Sequence, residues 1–142
     1  MKRHNRIHTV YVSGGIAGLS PDDVEDYFRT AEEKLRELGL EVLSPIRGKV
    51  MDTEVGSHYE VNEIVHRDEN DVKHSDLMIA YPSDKSIGTI MELYLARKIC
   101  DIPVIVIATS PHITGHYWIR SYASKIVPTL EDAIDYVQAW YL

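Results

Sequence analysis

The run Pro103-Val-Ile-Val-Ile-Ala108 is apolar from end to end, with four β-branched residues in succession. A strand with no polar face has to be covered on both sides, which is the position of an inner strand in a parallel sheet flanked by helices. Thr9-Val-Tyr-Val-Ser13, Leu40-Glu-Val-Leu-Ser44 and Asp76-Leu-Met-Ile-Ala-Tyr81 read as three more strands, and Lys125-Ile-Val127 as a short last one. Helical patterns fall between them. Ser20 is an N-cap with Pro21 at the first helical position, Val24, Phe28, Ala31, Leu35 and Leu38 keep a helical period, and Gly39 ends the helix. A polar helix anchored by Ile64, Val65 and Val72 is expected from about Tyr59 to His74. A third helix capped by the Ser86 side chain runs to Ile99, and Pro128 to Val137 closes the chain. Lys49 to His58 reads as a loop or lid, Thr109 to Gly115 as a loop, and Tyr117 to Tyr122 as one helical turn.

Strands alternating with helices imply right-handed crossovers, hence a five-stranded parallel sheet in a three-layer α/β/α sandwich with expected order 2-1-3-4-5. Ligands of such sheets bind beyond the carboxyl ends of the strands, where the order switches between strands 1 and 3. That rule brings Gly14 to Gly18, Pro45 to Gly48 and Ser86 to Glu92 to one crevice. The 142 residues, 44% of them hydrophobic, fit a single domain over 1–142 with residues 1–7 as a loose arm.

Charge and cysteine content exclude several classes. With a net charge of −7 and no Lys/Arg block beyond Met1 to Arg6, binding to a nucleic acid polymer is disfavoured. The single Cys100 rules out an internal disulfide and suits a reducing compartment. No apolar run reaches membrane-spanning length and no signal-peptide core is visible, so a cytoplasmic protein without membrane contact is expected. No metal is expected: His112 and His116 are four apart, and Gly115 argues against a shared helix. A serine-hydrolase elbow is absent.

The polar residues of the expected crevice carry the candidate chemistry. Glu92 lies about one and a half turns into its helix among Ile90, Met91, Leu93, Tyr94 and Leu95. Its face-mates Gly88, Thr89, Leu95 and Ala96 leave the side toward the loop small and polar. It is either a solvent-facing charge at a helix rim or an ionised, sheltered carboxylate able to attack an electrophilic carbon. The glycine loop Ser13-Gly-Gly-Ile-Ala-Gly18 is either a tight strand-to-helix turn or a close approach of backbone to a phosphate or sugar. It is neither a Walker loop nor a dinucleotide fingerprint. Tyr11 is a core aromatic or a hydroxyl that holds a carboxylate. Asp68 can turn inward and exchange a proton with a heterocycle, whereas Asp71 reads as part of a solvated face.

Taken together, Tyr11-Val-Ser-Gly-Gly15, Asp68 and Ser86-Ile-Gly-Thr-Ile-Met-Glu-Leu93 resemble the nucleoside 2-deoxyribosyltransferase superfamily, over most of the chain. The resemblance implies a flavodoxin-like fold, homodimers or larger assemblies, no cofactor, and cleavage of the N-glycosidic bond of nucleosides or nucleotides. It makes Glu92 the nucleophile, Tyr11 its positioner and Asp68 the residue that protonates or recognises the base. Ser13, Gly14, Gly15, Arg47, Ser86, Gly88 and Ser124 become substrate-binding candidates. Ser86 stands where the transferases commonly carry Asp and the monophosphate N-glycosidases carry Ser, which favours a phosphate. Those glycosidases also carry Ser and Arg in the glycine loop, where this chain has Gly15 and Ala17, so the missing donors fall to Arg47 or to Ser124 or Arg120 of a neighbouring subunit. A nucleotide-binding sensor without chemistry and a purely structural subunit are the competing expectations.

Overall fold

The computed structural model describes residues 6–15, 20–46 and 61–142. The tip of the glycine loop, the expected lid over Lys49 to His58 and Arg47 lie outside the described residues. Elements follow in the order β1 (Thr9–Gly14), α1 (Pro21–Glu37), β2 (Glu41–Leu43), α2 (Val61–Lys73), β3 (Leu77–Tyr81), α3 (Ile87–Tyr94, continued by a π-helical turn over Leu95–Ile99), β4 (Val104–Ile107), α4 (Pro111–Gly115), α5 (Tyr117–Tyr122), β5 (Lys125–Val127) and α6 (Leu130–Tyr141). The strands form a parallel five-stranded sheet in the order β2-β1-β3-β4-β5, a flavodoxin-like α/β arrangement.

Period-two alternation divides the inner strands between two cores. Val10, Val12, Leu77, Ile79, Ile105 and Ile107 face α1 and α6, where they meet Phe28, Leu35, Ile134 and Val137. Tyr11, Met78, Ala80, Val104 and Val106 face the other way, toward Val72 of α2, Leu93 of α3, Ile113 of α4 and Ile119 of α5. Every one of these strand residues is 0% exposed, as expected of strands covered on both faces. The second face is the one that carries the site.

Local signals account for most of the boundaries. Ser20 Oγ accepts from the Asp23 amide at 3.2 Å and caps α1. At its other end Gly39 takes φ +84°, with Gly39 N donating to Arg36 O and Leu40 N to Leu35 O, the paired bonds of a Schellman ending. Four details differ from the sequence reading. Residues 111–115 form a short helix, because Ser110 caps it and Pro111 occupies its first position. The closing helix starts at Leu130, after a Thr129 cap that accepts from Asp132 N at 3.0 Å, and reaches Tyr141. Ser86 occupies the N-cap position of α3 but makes no side-chain cap bond, since its hydroxyl is engaged by Ser83. Ile7, at the end of the expected loose arm, is 5% exposed and donates its amide to Tyr141 O.

Candidate active site

Tyr11 and Ser13 are two apart on β1, so both side chains leave the sheet on the α2/α3 face. Gly88, Thr89 and Glu92 project from α3 at spacings of three and four. These two patterns meet at one carboxylate. The Tyr11 hydroxyl donates to Glu92 Oε2, and the Ser13 hydroxyl donates to Glu92 Oε1 at 2.9 Å. Ser13 Oγ also lies 3.4 Å from Thr89 Oγ1. Tyr11 and Ser13 are completely buried and Thr89 nearly so, while Glu92 itself is half-buried. The carboxylate therefore has a dry back and an open front.

The front is a cavity of about 380 Å³ between α2 and α3, lined by Val65, Asp68, Glu69, Gly88, Met91, Glu92 and Leu95. Asp68, from α2, lines the same cavity as Glu92. Asp71, one helical turn further along α2, is buried and not solvated as the sequence suggests, because α2 packs that face against the second core beside Tyr11. The Tyr11 phenol is raised far above its ordinary value, first by burial, then by Glu92 and Asp68, by its bond to Glu92 and last by Asp71. It stays protonated and acts only as a donor.

The remaining candidates group differently from the single expected crevice. Gly88 lines the Glu92 cavity. Ser86 lines an adjacent groove of about 310 Å³ with Ile90, Met91, His112 and Trp118, and Met91 forms a wall common to both. Ser86 Oγ accepts from Ser83 N at 2.7 Å and lies 2.9 Å from Ser83 Oγ. Gly14 and Gly15 line a third cavity of about 420 Å³ with Tyr27, Tyr81 and Ser83. Their lack of side chains is used by protein neighbours: a Cβ on Gly14 would stand 2.8 Å from the Tyr27 ring, and one on Gly15 would stand 2.2 Å from Ser86 Oγ. The Tyr27 hydroxyl then ties α1 to the end of β1 by donating to Ser13 O at 2.9 Å.

Ser124 lies at the amino end of β5, bonded both ways to Val104, three strands away from Tyr11 and Ser13 on β1. Within one subunit it takes no part in the cavity. The His112 and His116 rings meet edge to face at 5.7 Å, and no cluster of three metal-ligating side chains occurs among the described residues. Among those same residues no helix is long and apolar enough to cross a membrane. Sequence reasoning missed Ser13 as a partner of Glu92, although its two-residue spacing from Tyr11 was the available signal. Ser83 was missed as well.

Residues 8–106, from β1 to β4, match a family described as "Domain of unknown function (DUF4406)". No curated protein sequence matches the chain. Solved structures with the same fold include a 2-deoxyribosyltransferase from Bacillus psychrosaccharolyticus, at 22% identity and TM-score 0.72 over 90% of this chain and 91% of that one. A 2-deoxyribosyltransferase from Leishmania mexicana matches at 16% identity and TM-score 0.65 over 95% and 99% of the two chains. The CMP N-glycosidase BcmB from Clostridium botulinum matches at 17% identity and TM-score 0.61 over 93% and 99%.

Proposed function

The chain belongs to the family described as a domain of unknown function, DUF4406, and we propose that it cleaves the N-glycosidic bond of a (deoxy)nucleoside or nucleoside 5′-monophosphate through Glu92. The observation that carries this reading is the carboxylate held at both oxygens by Tyr11 and Ser13 at the wall of a cavity that also contains Asp68. A carboxylate fixed in one rotamer with an open front has the geometry of a nucleophile. Neighbours of the same fold that act as deoxyribosyltransferases and as a CMP N-glycosidase support the same chemistry.

In this mechanism a Glu92 oxygen forms a bond to C1′ while the bond from C1′ to the base nitrogen breaks, and its electron pair leaves with the base. Asp68 supplies the proton that the base takes up. Water or a second base then attacks C1′ from the other side, the bond to Glu92 breaks with its pair returning to the carboxylate, and the attacking group's proton goes to Asp68. Anomeric configuration is retained. Asp68, Glu69 and Glu92 make the cavity acidic, so a neutral sugar and base sit there, and a 5′-phosphate would extend toward Ser86 and Ser83.

A homodimer or larger homo-oligomer belongs to the same reading. Ile87, Met91 and Trp118, exposed at 77%, 67% and 63%, form the apolar surface beside the cavity that a second copy would cover. The test of function is direct: the protein is incubated with a panel of nucleosides and 5′-monophosphates and free base is followed by chromatography. Base release that Glu92→Ala reduces by about a thousandfold or more supports the reading. Ligand binding without release of base from any substrate would identify a sensor.

A further inference from the structure

A serine hydroxyl has a single proton to give. Ser13 Oγ has two acceptors in reach, Glu92 Oε1 at 2.9 Å and Thr89 Oγ1 at 3.4 Å. The shorter, charge-assisted contact takes that proton, and Thr89 is left as a polar neighbour of Ser13 at the longer distance. The bond from Ser13 to Glu92 starts from a completely buried hydroxyl, beside the almost wholly buried Thr89. Water does not compete for it from behind. Tyr11 fills the same role at Oε2, so each carboxylate oxygen receives its own protein donor.

We infer that Ser13 is a positioning residue that tunes Glu92 as a leaving group, favouring the free carboxylate over its glycosyl ester. The inference rests on the reading of Glu92 as nucleophile. In the second half of that reaction the oxygen of water bonds to C1′, the bond between C1′ and the Glu92 oxygen breaks, and the electron pair returns to the carboxylate. A hydroxyl on Oε1 is bonded to a neutral ester before this step and to an ion after it, and bonds to ions are about twice as strong. Ser13 therefore pulls the covalent adduct toward release. The titratable groups that surround Glu92 among the described residues are Tyr11 on β1 and Asp68 and Glu69 on α2, with Asp71 reaching Tyr11 from behind. The α2 groups that line the cavity are acids, and the hydroxyl donors of β1 favour charge on Glu92 against them.

The test has a part without substrate and a part with it. In protein labelled with ¹³C at glutamate carboxyls, Glu92→Ala identifies the Glu92 signal. Ser13→Ala is expected to move its titration midpoint upward by about one pH unit or more. Ser13→Cys, which keeps the shape with a weaker donor, is expected to fall between the two. With a nucleoside that the wild type cleaves, Ser13→Ala should accumulate glycosylated protein by intact mass, with kcat lowered about tenfold and KM lowered with it. An unshifted midpoint overturns the inference, and so does a shifted midpoint with no more adduct than in wild type. Failure of the wild type to release base from any substrate overturns the nucleophile reading, and the leaving-group role with it, but a shifted midpoint would still establish the donation from Ser13.

Discussion

Gly15 and Ser86 touch so closely that a methyl group on Gly15 would stand 2.2 Å from Ser86 Oγ and 2.8 Å from Ser83 Oγ. The carboxyl end of β1 is thereby seated on the loop that starts α3, and the Gly15 amide adds a bond of 3.0 Å to Tyr81 O. The hydroxyls of Ser83 and Ser86 fill the space that a side chain at position 15 would need.

Gly15→Ala is accordingly expected to displace both hydroxyls and break the bond from Ser83 N to Ser86 Oγ. The backbone at Gly15 is not left-handed, so the cost comes from the contact and not from φ. Denaturant unfolding should show a loss of about 1–3 kcal/mol. Part of that loss should vanish in a Ser86→Ala background, with a coupling of about 0.5 kcal/mol or more. Strict additivity would mean that the contact is relieved by other movements.

How much of this was legible beforehand depends on which residues were asked. The five strands and their order follow from apolar runs such as Val104 to Ile107, whereas the meeting of Tyr11 with Glu92 comes from the resemblance carried by Tyr11 to Gly15 and Ser86 to Leu93. Asp71 reads as solvated because its helix shows few apolar residues, whereas it is buried close enough to Tyr11, on a strand 60 positions earlier, to act on that phenol. The sequence makes Ser86 a cap because capping is a local rule. A second serine three residues upstream competes for the same hydroxyl, and single-residue preferences do not register such competition. The role of Ser13 was missed for a related reason: its partner lies 79 positions away, and only the shared face with Tyr11 pointed to it.

Alkaline pH should expose the buried phenols. Tyr11, Tyr27 and Tyr141 all titrate above the ordinary phenol value, burial being the leading cause in each, with Glu92 and Asp68 adding at Tyr11. Below about pH 10 these phenols are protonated in folded and unfolded chains alike, and their contribution to stability is complete. Above that value the unfolded chain loses protons that the folded one keeps, so stability falls as pH rises. Urea midpoints should drop from pH 9.5 to about pH 11, and part of the phenolate absorbance near 295 nm should appear only with the loss of far-ultraviolet ellipticity. Full phenolate absorbance in a chain that is still folded would contradict this.

Asp68 can be distinguished as an acid from a residue that merely recognises the base. A purine or pyrimidine leaves poorly unless its nitrogen is protonated, whereas fluoride leaves C1′ as an anion that needs no proton. Asp68→Asn keeps the shape and hydrogen-bonding reach of the side chain but has no acidic proton to transfer. With nucleosides, kcat/KM should fall by about a hundredfold or more. With the corresponding glycosyl fluoride, fluoride release should stay within about tenfold of wild type, because Glu92, Tyr11 and Ser13 still present the same nucleophile. The two substrates share the sugar and differ in the leaving group, so comparing them isolates the proton. Equal losses on both would assign Asp68 to the sugar or to the placement of Glu92, and the proton would then have to reach the base from water or from another side chain at the cavity.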